Sequence, residues 1–241
     1  MSTHLRALVA MVLCGGATLG EPERRQWDGV SYRVLRAEPE AIRMVWKDSR
    51  GELLNSFPRA RDYLARGGEK VLALTNGGIF EPGWIPSGLL VVGGRELCPL
   101  NQRSGKGNFF LKPNGVFLVG ARGARVVASA QYPEEGERVR FAVQSGPLLL
   151  GGGKVHPAFN PKSKWRLLRN GVGVDGDGRV VLAITEFYSA KLPTLYEFAE
   201  FFRSLGCREA LFLDGDLSQM AWGEGLRKAS NNFASMIAVV E

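Results

Sequence analysis

The sequence predicts an α+β fold: a single domain in which a mixed, largely antiparallel β-sheet packs against two or three helices, with one parallel strand–helix–strand unit near the C-terminus. Three observations lead there. Between Leu89 and Val143, short apolar runs alternate with glycines, as in an antiparallel meander. Asp175-Gly176-Asp177-Gly178 separates two further apolar runs and is a strong hairpin turn. Beyond it, the amphipathic segment Pro193–Leu205 lies between the runs Arg179–Thr185 and Ala210–Leu213, the order a parallel crossover requires. A chain of 241 residues, 45% hydrophobic and 23% charged, can bury a core without metals or disulfides. It contains no run of about 18 apolar residues, so no stable membrane insertion is expected.

The elements follow in order. Residues 1–20 combine a polar, basic start (His4, Arg6), a nearly apolar run Leu5–Leu13 and the small residues Gly15, Gly16, Ala17 and Gly20, the pattern of a secretory signal peptide. Cleavage after Ala17 or Gly20 predicts a mature N-terminus between Thr18 and Gln26, a domain spanning 21–241, and a secreted or periplasmic location. Leu13 before Cys14 is too large for a lipid-anchor signal. Residues 30–36 and 42–47 open the domain as strands. Ser56-Phe57-Pro58 starts a helix that Gly67-Gly68 stops. Val71–Thr75 reads as a buried strand running into Asn76-Gly77-Gly78. The meander is expected to place strands at 89–92, 108–111, 115–119, 125–129 and 139–143. Residues 170–174 and 179–185 then pair through the hairpin. On the second helix Leu195, Phe198, Ala199, Phe202 and Leu205 form the apolar stripe, capped by Gly206.

Several chemistries are excluded by count. Without the leader, Cys98 and Cys207 remain, either one disulfide in an oxidising compartment or two separately buried thiols. Two cysteines and one histidine do not make a zinc site, and no metal or cofactor is expected. A catalytic triad would have to use His156, yet Ser145 sits in Gln-Ser-Gly-Pro and not in a nucleophile elbow. The Asp175 segment lacks the terminal glutamate of a calcium loop, and Gly151–Lys154 lacks the helix start of a phosphate loop. The formal charge of +7 is scattered and carries no nucleic-acid motif; it suits phosphorylated or acidic polymers. What remains are polar residues placed directly after apolar strands: Asn76, Ser145, Glu186 and Asp214, with Arg169 added. Strand ends are where sheets assemble sites.

Thr75-Asn-Gly-Gly-Ile-Phe80, Gln144-Ser-Gly-Pro-Leu-Leu149, Arg169-Asn-Gly-Val-Gly-Val-Asp175 and Leu213-Asp-Gly-Asp-Leu-Ser218 occur in the order and spacing of the phosphodiester glycosidase family. The chain resembles that family over about residues 70–240, and the segment Ala158-Phe159-Asn160-Pro161 resembles its exported bacterial branch. Three segments depart from the pattern: Asp216 and Leu217 interrupt a stretch that is usually glycine-rich, Arg169-Asn170-Gly171-Val172-Gly173 stands for Arg-Thr-Ala-x-Gly, and Glu186-Phe187-Tyr188 replaces an Asp-Gly-Arg.

The resemblance implies an exported hydrolase that cleaves a sugar-1-phosphodiester in an envelope or exopolysaccharide glycan, the substrate being a phosphorylated or acidic carbohydrate. In that reading Glu186 and Asp214 are the catalytic pair. Arg169 grips phosphate, and Asn76, Gly77, Ser145, Gly146, Asn170, Asp216, Ser218 and His156 bind substrate, with Lys164 a weaker contact. A noncatalytic anionic-glycan-binding envelope protein, or a hydrolase or transferase acting at phosphorus, stays open as the alternative. The hairpin adds a geometric expectation: paired positions sum to about 353–355. That sets Arg169 beside Glu186, with Asp214 leaving the sheet at the same edge. All three are expected to line one pocket, joined by Asn76 and Ser145.

Overall fold

Strand alternation decides how this chain is layered. The computed structural model describes residues 20–132 and 138–241; the expected leader up to residue 19 lies outside the described residues. The first part contributes β1 (Glu23–Trp27), β2 (Val30–Ala37), β3 (Ile42–Val45), α1 (Phe57–Arg66) and β4 (Val71–Asn76). The middle adds β5 (Phe80–Glu81), β6 (Ile85–Pro86), β7 (Leu90–Val92), β8 (Arg95–Cys98), β9 (Gly115–Gly120), β10 (Gly123–Ala128) and β11 (Val139–Ser145). The last part supplies β12 (Leu148–Gly151), β13 (Lys154–Val155), β14 (Asn170–Val174), β15 (Val180–Thr185), α2 (Leu195–Ser204), β16 (Glu209–Asp214), β17 (Met220–Trp222) and β18 (Met236–Val240).

These strands form three principal sheets: β1-β2-β15-β14-β16-β12-β13, β10-β9-β11-β7-β8 and β17-β4-β18-β3, with β5-β6 as a separate ribbon. The central strands of the first sheet are apolar on both faces, because both are covered. Along β15, Val180 and Leu182 enter the core shared with the other two sheets, while Val181 and Ala183 pack against α2 through Phe198, Phe201 and Phe202. The Asn170-Gly171-Val172-Gly173 alternation has the same origin. A Cβ on Gly171 would meet Phe202 at 3.0 Å, and one on Gly173 would meet the Cys207 sulfur at 2.8 Å, so α2 can lie this close only over glycine. α2 begins with a capping box: Thr194 Oγ1 accepts from the Glu197 N–H while Glu197 accepts from the Thr194 N–H.

The structure departs from expectation in four places. Among the described residues all strand pairs are antiparallel, not mixed. β15 and β16 run in the same direction because each is antiparallel to β14, which lies between them. The hairpin's own strand fills the slot a parallel neighbour would have taken. Residues 108–111 are not a strand: Gly107, at φ +92°, turns the chain into a 3-10 turn at Asn108–Phe110, and Asn114 Nδ2 holds the Phe109 carbonyl at 2.8 Å. No strand is expected from the sequence at β1, β5, β6, β8, β12, β13, β17 or β18, and the one expected sheet is three principal ones. Cys98 and Cys207 are separately buried free thiols.

Candidate active site

The chain ends of β4, β11, β15 and β16 and the start of β14 meet at one edge, and the hairpin register fixes what each presents. Asn170 pairs with Ile184, so paired positions sum to 354 and Arg169 lies opposite Thr185. The Thr185 N–H donates to the Arg169 carbonyl at 2.9 Å, and the Arg169 N–H donates to Thr185 Oγ1 at 3.2 Å. Residues facing each other in an antiparallel pair share a face, and neighbours along a strand do not. Glu186, one step beyond Thr185, therefore emerges on the face of Ile184 and Leu182. Arg169 emerges on the face of α2. The expected single pocket for Arg169 and Glu186 does not exist: the two side chains line different clefts on opposite faces of the same sheet edge.

Arg169 is 2% exposed and lies with its guanidinium 5.5 Å from the centre of the Phe212 ring. Its Nε has no hydrogen-bond partner, and its one side-chain hydrogen bond is a long 3.5 Å contact to the Trp165 carbonyl. Burial pulls its pKa down to about 10, opposed by the charge of Asp216, so it stays cationic at neutral pH. A buried cation without a carboxylate partner is expensive, worth several kcal/mol in general. The guanidinium borders a cleft of about 340 Å³ whose wall includes Asn160, Ser163, Trp165, Asn108 and Tyr196. Trp165 is 73% exposed at its rim, and Lys162 and Lys164 stand exposed on the same loop. The arrangement can receive an anion at Arg169.

Asp214 ends β16, and it lines neither the Arg169 cleft nor the Glu186 cleft, so the expected pocket does not take in all three residues. A one-residue slip, from Gly171↔Phe212 to Asn170↔Asp214, releases the strand into the turn 214–218. A Cβ on Gly215 would sit 4.0 Å from Arg169 Nη1, which puts that turn against the guanidinium. Asp214 Oδ1 accepts from the Gly215 N–H at 2.6 Å. Burial, with the charge of Asp216 added, nevertheless raises its pKa to about 6. A carboxyl in that range can give or take a proton near neutrality.

Behind Asp214 lies a polar network. Asn170 Nδ2 donates to Thr75 Oγ1 and Asn76 Oδ1 at 3.1 and 3.0 Å, and its Oδ1 accepts from the Asp214 N–H at 3.1 Å. Asn76 Oδ1 also accepts from the Gln219 N–H at 2.9 Å. Ser145 Oγ donates to the Leu213 carbonyl at 2.8 Å and accepts from the Ile79 N–H at 3.3 Å. Asn76, Ser145 and Asn170 are each at most 2% exposed and bonded across strands, with the Asn76 Nδ2 reaching only the Gly77 carbonyl at 3.5 Å, and they hold β4, β11, β14 and β16 in register behind Asp214. Ser218 donates to the Asp214 carbonyl at 3.2 Å. Asp216 is exposed at the turn's tip.

The two expected glycines are packing positions. The Gly77 N–H already donates to the Ser235 carbonyl at 2.8 Å, and a Cβ on Gly146 would meet Asn114 Cβ at 2.6 Å. His156 is 4% exposed, stacks on Phe159 at 4.7 Å, and accepts from the Ala158 N–H at 3.1 Å. Burial lowers its pKa.

On the opposite face, Glu186 is held by two arginines: Oε1 accepts from Arg33 Nε at 2.7 Å and Oε2 from Arg24 Nε at 2.9 Å. They belong to a cleft of about 470 Å³ with Phe187, Tyr188, Ser218 and Trp222 in its walls. Sequence reasoning missed Arg24, Arg33 and Trp165. Only the exposed Trp165, a large aromatic in a lysine-rich loop, left a readable signal.

Comparison with known proteins agrees with this scaffold. A family model described as phosphodiester glycosidase matches residues 69–240. The chain is 31% identical over 212 residues to the uncharacterized protein YigE of Escherichia coli K12, covering 87% of this chain and 81% of that one. The catalytic domain of zebrafish N-acetylglucosamine-1-phosphodiester alpha-N-acetylglucosaminidase, auto-inhibited by its pro-peptide, superposes with a TM-score of 0.65 at 13% identity, over 91% of this chain and 81% of that one. A Burkholderia pseudomallei protein provisionally described as exported gives a TM-score of 0.54 at 14% identity, over 88% and 74% of the two chains.

Proposed function

The chain belongs to the phosphodiester glycosidase family, and from that premise we propose that it hydrolyses a glycosidic bond to phosphate in a phosphorylated carbohydrate of the cell envelope. One observation carries the reading: the turn that follows Asp214, whose pKa is raised to about 6, packs against a buried, cationic arginine, a Cβ on Gly215 lying 4.0 Å from Arg169 Nη1. Arg169 receives the phosphate, whose oxygens its planar fork can meet two at a time. Asp214, ionised above about pH 6, takes a proton from water as that water attacks the anomeric carbon. The bond between that carbon and the phosphate oxygen breaks, and its electron pair leaves with the phosphate. The products are a free sugar and a phosphate monoester. A phosphate monoester with a second pKa of about 6 departs without needing a proton, so a single carboxylate suffices. Glu186, on the face opposite Arg169, is not required for this step. The turn 214–218 and the loop 158–165 shape the socket, while Asn76, Asn170 and Ser145 position Asp214.

Export also belongs to this proposal. The leader-like pattern of residues 1–20 supports it, and cleavage after Ala17 or Gly20 keeps all of β1. Among the described residues no helix is long and apolar enough to cross a membrane.

The test is turnover of α-linked sugar-1-phosphodiesters in oxygen-18 water. Label in the released sugar supports attack at carbon; label in phosphate assigns attack to phosphorus. Tight binding with no turnover would make the protein a binder of anionic glycans.

A further inference from the structure

We propose that the Glu186 cleft is a second carbohydrate subsite, which holds a sugar further along an anionic glycan chain whose phosphodiester lies at Arg169. The inference rests on the reading above and makes its substrate a polymer, not a small sugar phosphate.

The aromatic groups argue first. Phe187 and Tyr188 are 73% and 92% exposed and meet edge-on with ring centres 5.0 Å apart. Two adjacent exposed aromatics give up hydrophobic stabilisation unless something covers them. The loop that carries them is tied down: the Glu186 N–H donates to the Ser31 carbonyl at 2.9 Å, the Ser189 N–H to the Glu186 carbonyl at 3.0 Å, and the Ser31 N–H to Ser189 Oγ at 2.9 Å. The rings are therefore presented on a fixed frame. Trp222 forms another wall of the cleft, with the Arg33 guanidinium 5.3 Å from its ring centre. Flat aromatic faces suit the C–H faces of a pyranose.

The polar groups argue second. Two guanidinium groups share one carboxylate, leaving a net positive charge in the cleft. Arg24 contributes only its Nε to Glu186 and is 60% exposed, so its remaining N–H groups are accessible to a ligand. Such a set accepts hydroxyls at Glu186 and an acidic or phosphate group at Arg24. Continuity argues third. Ser218 lines this cleft, and its hydroxyl bonds to the Asp214 carbonyl, so the turn 214–218 is a shared rim between the two faces. A chain crossing that rim touches both clefts.

The test is calorimetric titration of the full chain with two defined probes, a dimer and a hexamer of phosphodiester-linked N-acetylglucosamine. A neutral dextran oligomer of the hexamer's length is the control. The hexamer is expected to bind about 10-fold more tightly than the dimer, and the double variant F187A/Y188A to lose that gain. Both substitutions are at exposed side chains, and circular dichroism with a melting curve checks that the variant folds. Equal affinity for the two lengths in the wild type, an undiminished length effect in the double variant, dextran binding as tight as the hexamer, or no hexamer binding overturns the proposal. Turnover of a small sugar-1-phosphodiester is measured separately. Length-dependent binding without turnover removes the enzymatic reading and keeps the subsite; turnover without length dependence does the reverse.

Discussion

Arg169 and Glu186 start one register step apart and end in opposite electrostatic conditions. Glu186 is satisfied: two arginines bond its two oxygens at 2.7 and 2.9 Å in a half-open cleft. Arg169 is unsatisfied: it is 2% exposed, with an unpartnered Nε and no carboxylate bonded to it. The contrast teaches where to look for chemistry in this fold. A charge that has found its partners adds rigidity and a surface, whereas a buried charge held without partners stores an unmet demand that a ligand can fill. Asp214, paired with Asn170, has its pKa raised by burial and by the charge of Asp216.

The sharpest way to break the contrast is Asp214→Asn, which keeps the side-chain shape and the acceptor for the Gly215 N–H. Turnover is expected to fall by about 10³-fold, the scale of a lost general base. A folded variant with full turnover would reduce Asp214 to a turn residue. Arg169→Lys comes next: it keeps the charge and loses the fork, and kcat/KM is expected to fall by about 10²-fold. Retained activity there would mean that the socket needs only a point charge. In the wild type, kcat/KM should rise with pH and level off above about 6, as Asp214 loses its proton. A profile flat from pH 5 to 8 would contradict the assignment. Glu186→Gln should lower turnover of a short substrate by less than about 10-fold, the scale of a lost contact and not of lost chemistry. A drop matching that of Asp214→Asn would restore the two-carboxylate pair and erase the distinction between the faces.

The smallest expected effect is thermodynamic. The folded state raises the Asp214 pKa from 3.8 to about 6, so its charged form is penalised by folding. That penalty is full above the folded value and vanishes below the unfolded one. Asp214→Asn should therefore stabilise the protein at pH 7.5 by about 1–2 kcal/mol, a few degrees in Tm, with the gain gone near pH 3.5. A lower Tm at pH 7.5 would show that the carboxylate is held by contacts that outweigh its burial.

Much of the scaffold was legible locally. The turn at Asp175–Gly178, the helix stripe of Phe198, Ala199 and Phe202, and the strand ends at Asn76, Ser145, Glu186 and Asp214 all follow from residue period and punctuation. The 3-10 turn at Asn108–Phe110 was not legible, because its apolar Phe109 and Phe110 read as a strand until Asn114, in the turn that follows, ties back the Phe109 carbonyl. Strand β18 was missed because Met236–Val240 is buried on both faces between β4 and β3 and so shows no alternation. Asn76 and Asn170 lie behind Asp214. Their amides bond to Thr75, Gln219 and the Asp214 backbone, partners far away in the sequence.

The sequence by itself determined that Arg169, Glu186 and Asp214 would reach one sheet edge, since a hairpin and a helical crossover admit little else. It left open which face each would use. A turn summing to 353 or 355 would have set Arg169 on the face of Glu186, and the observed 354 sets it on the other. Side-chain direction in a strand reverses with every residue, so one residue of turn length decides it, and the backbone around Asp175 and Arg179 makes that choice. Only the tertiary structure could then bring Arg24 and Arg33 to Glu186 while leaving Arg169 without a carboxylate. Those contacts join residues 150 or more positions apart, and nothing in the local sequence specifies them.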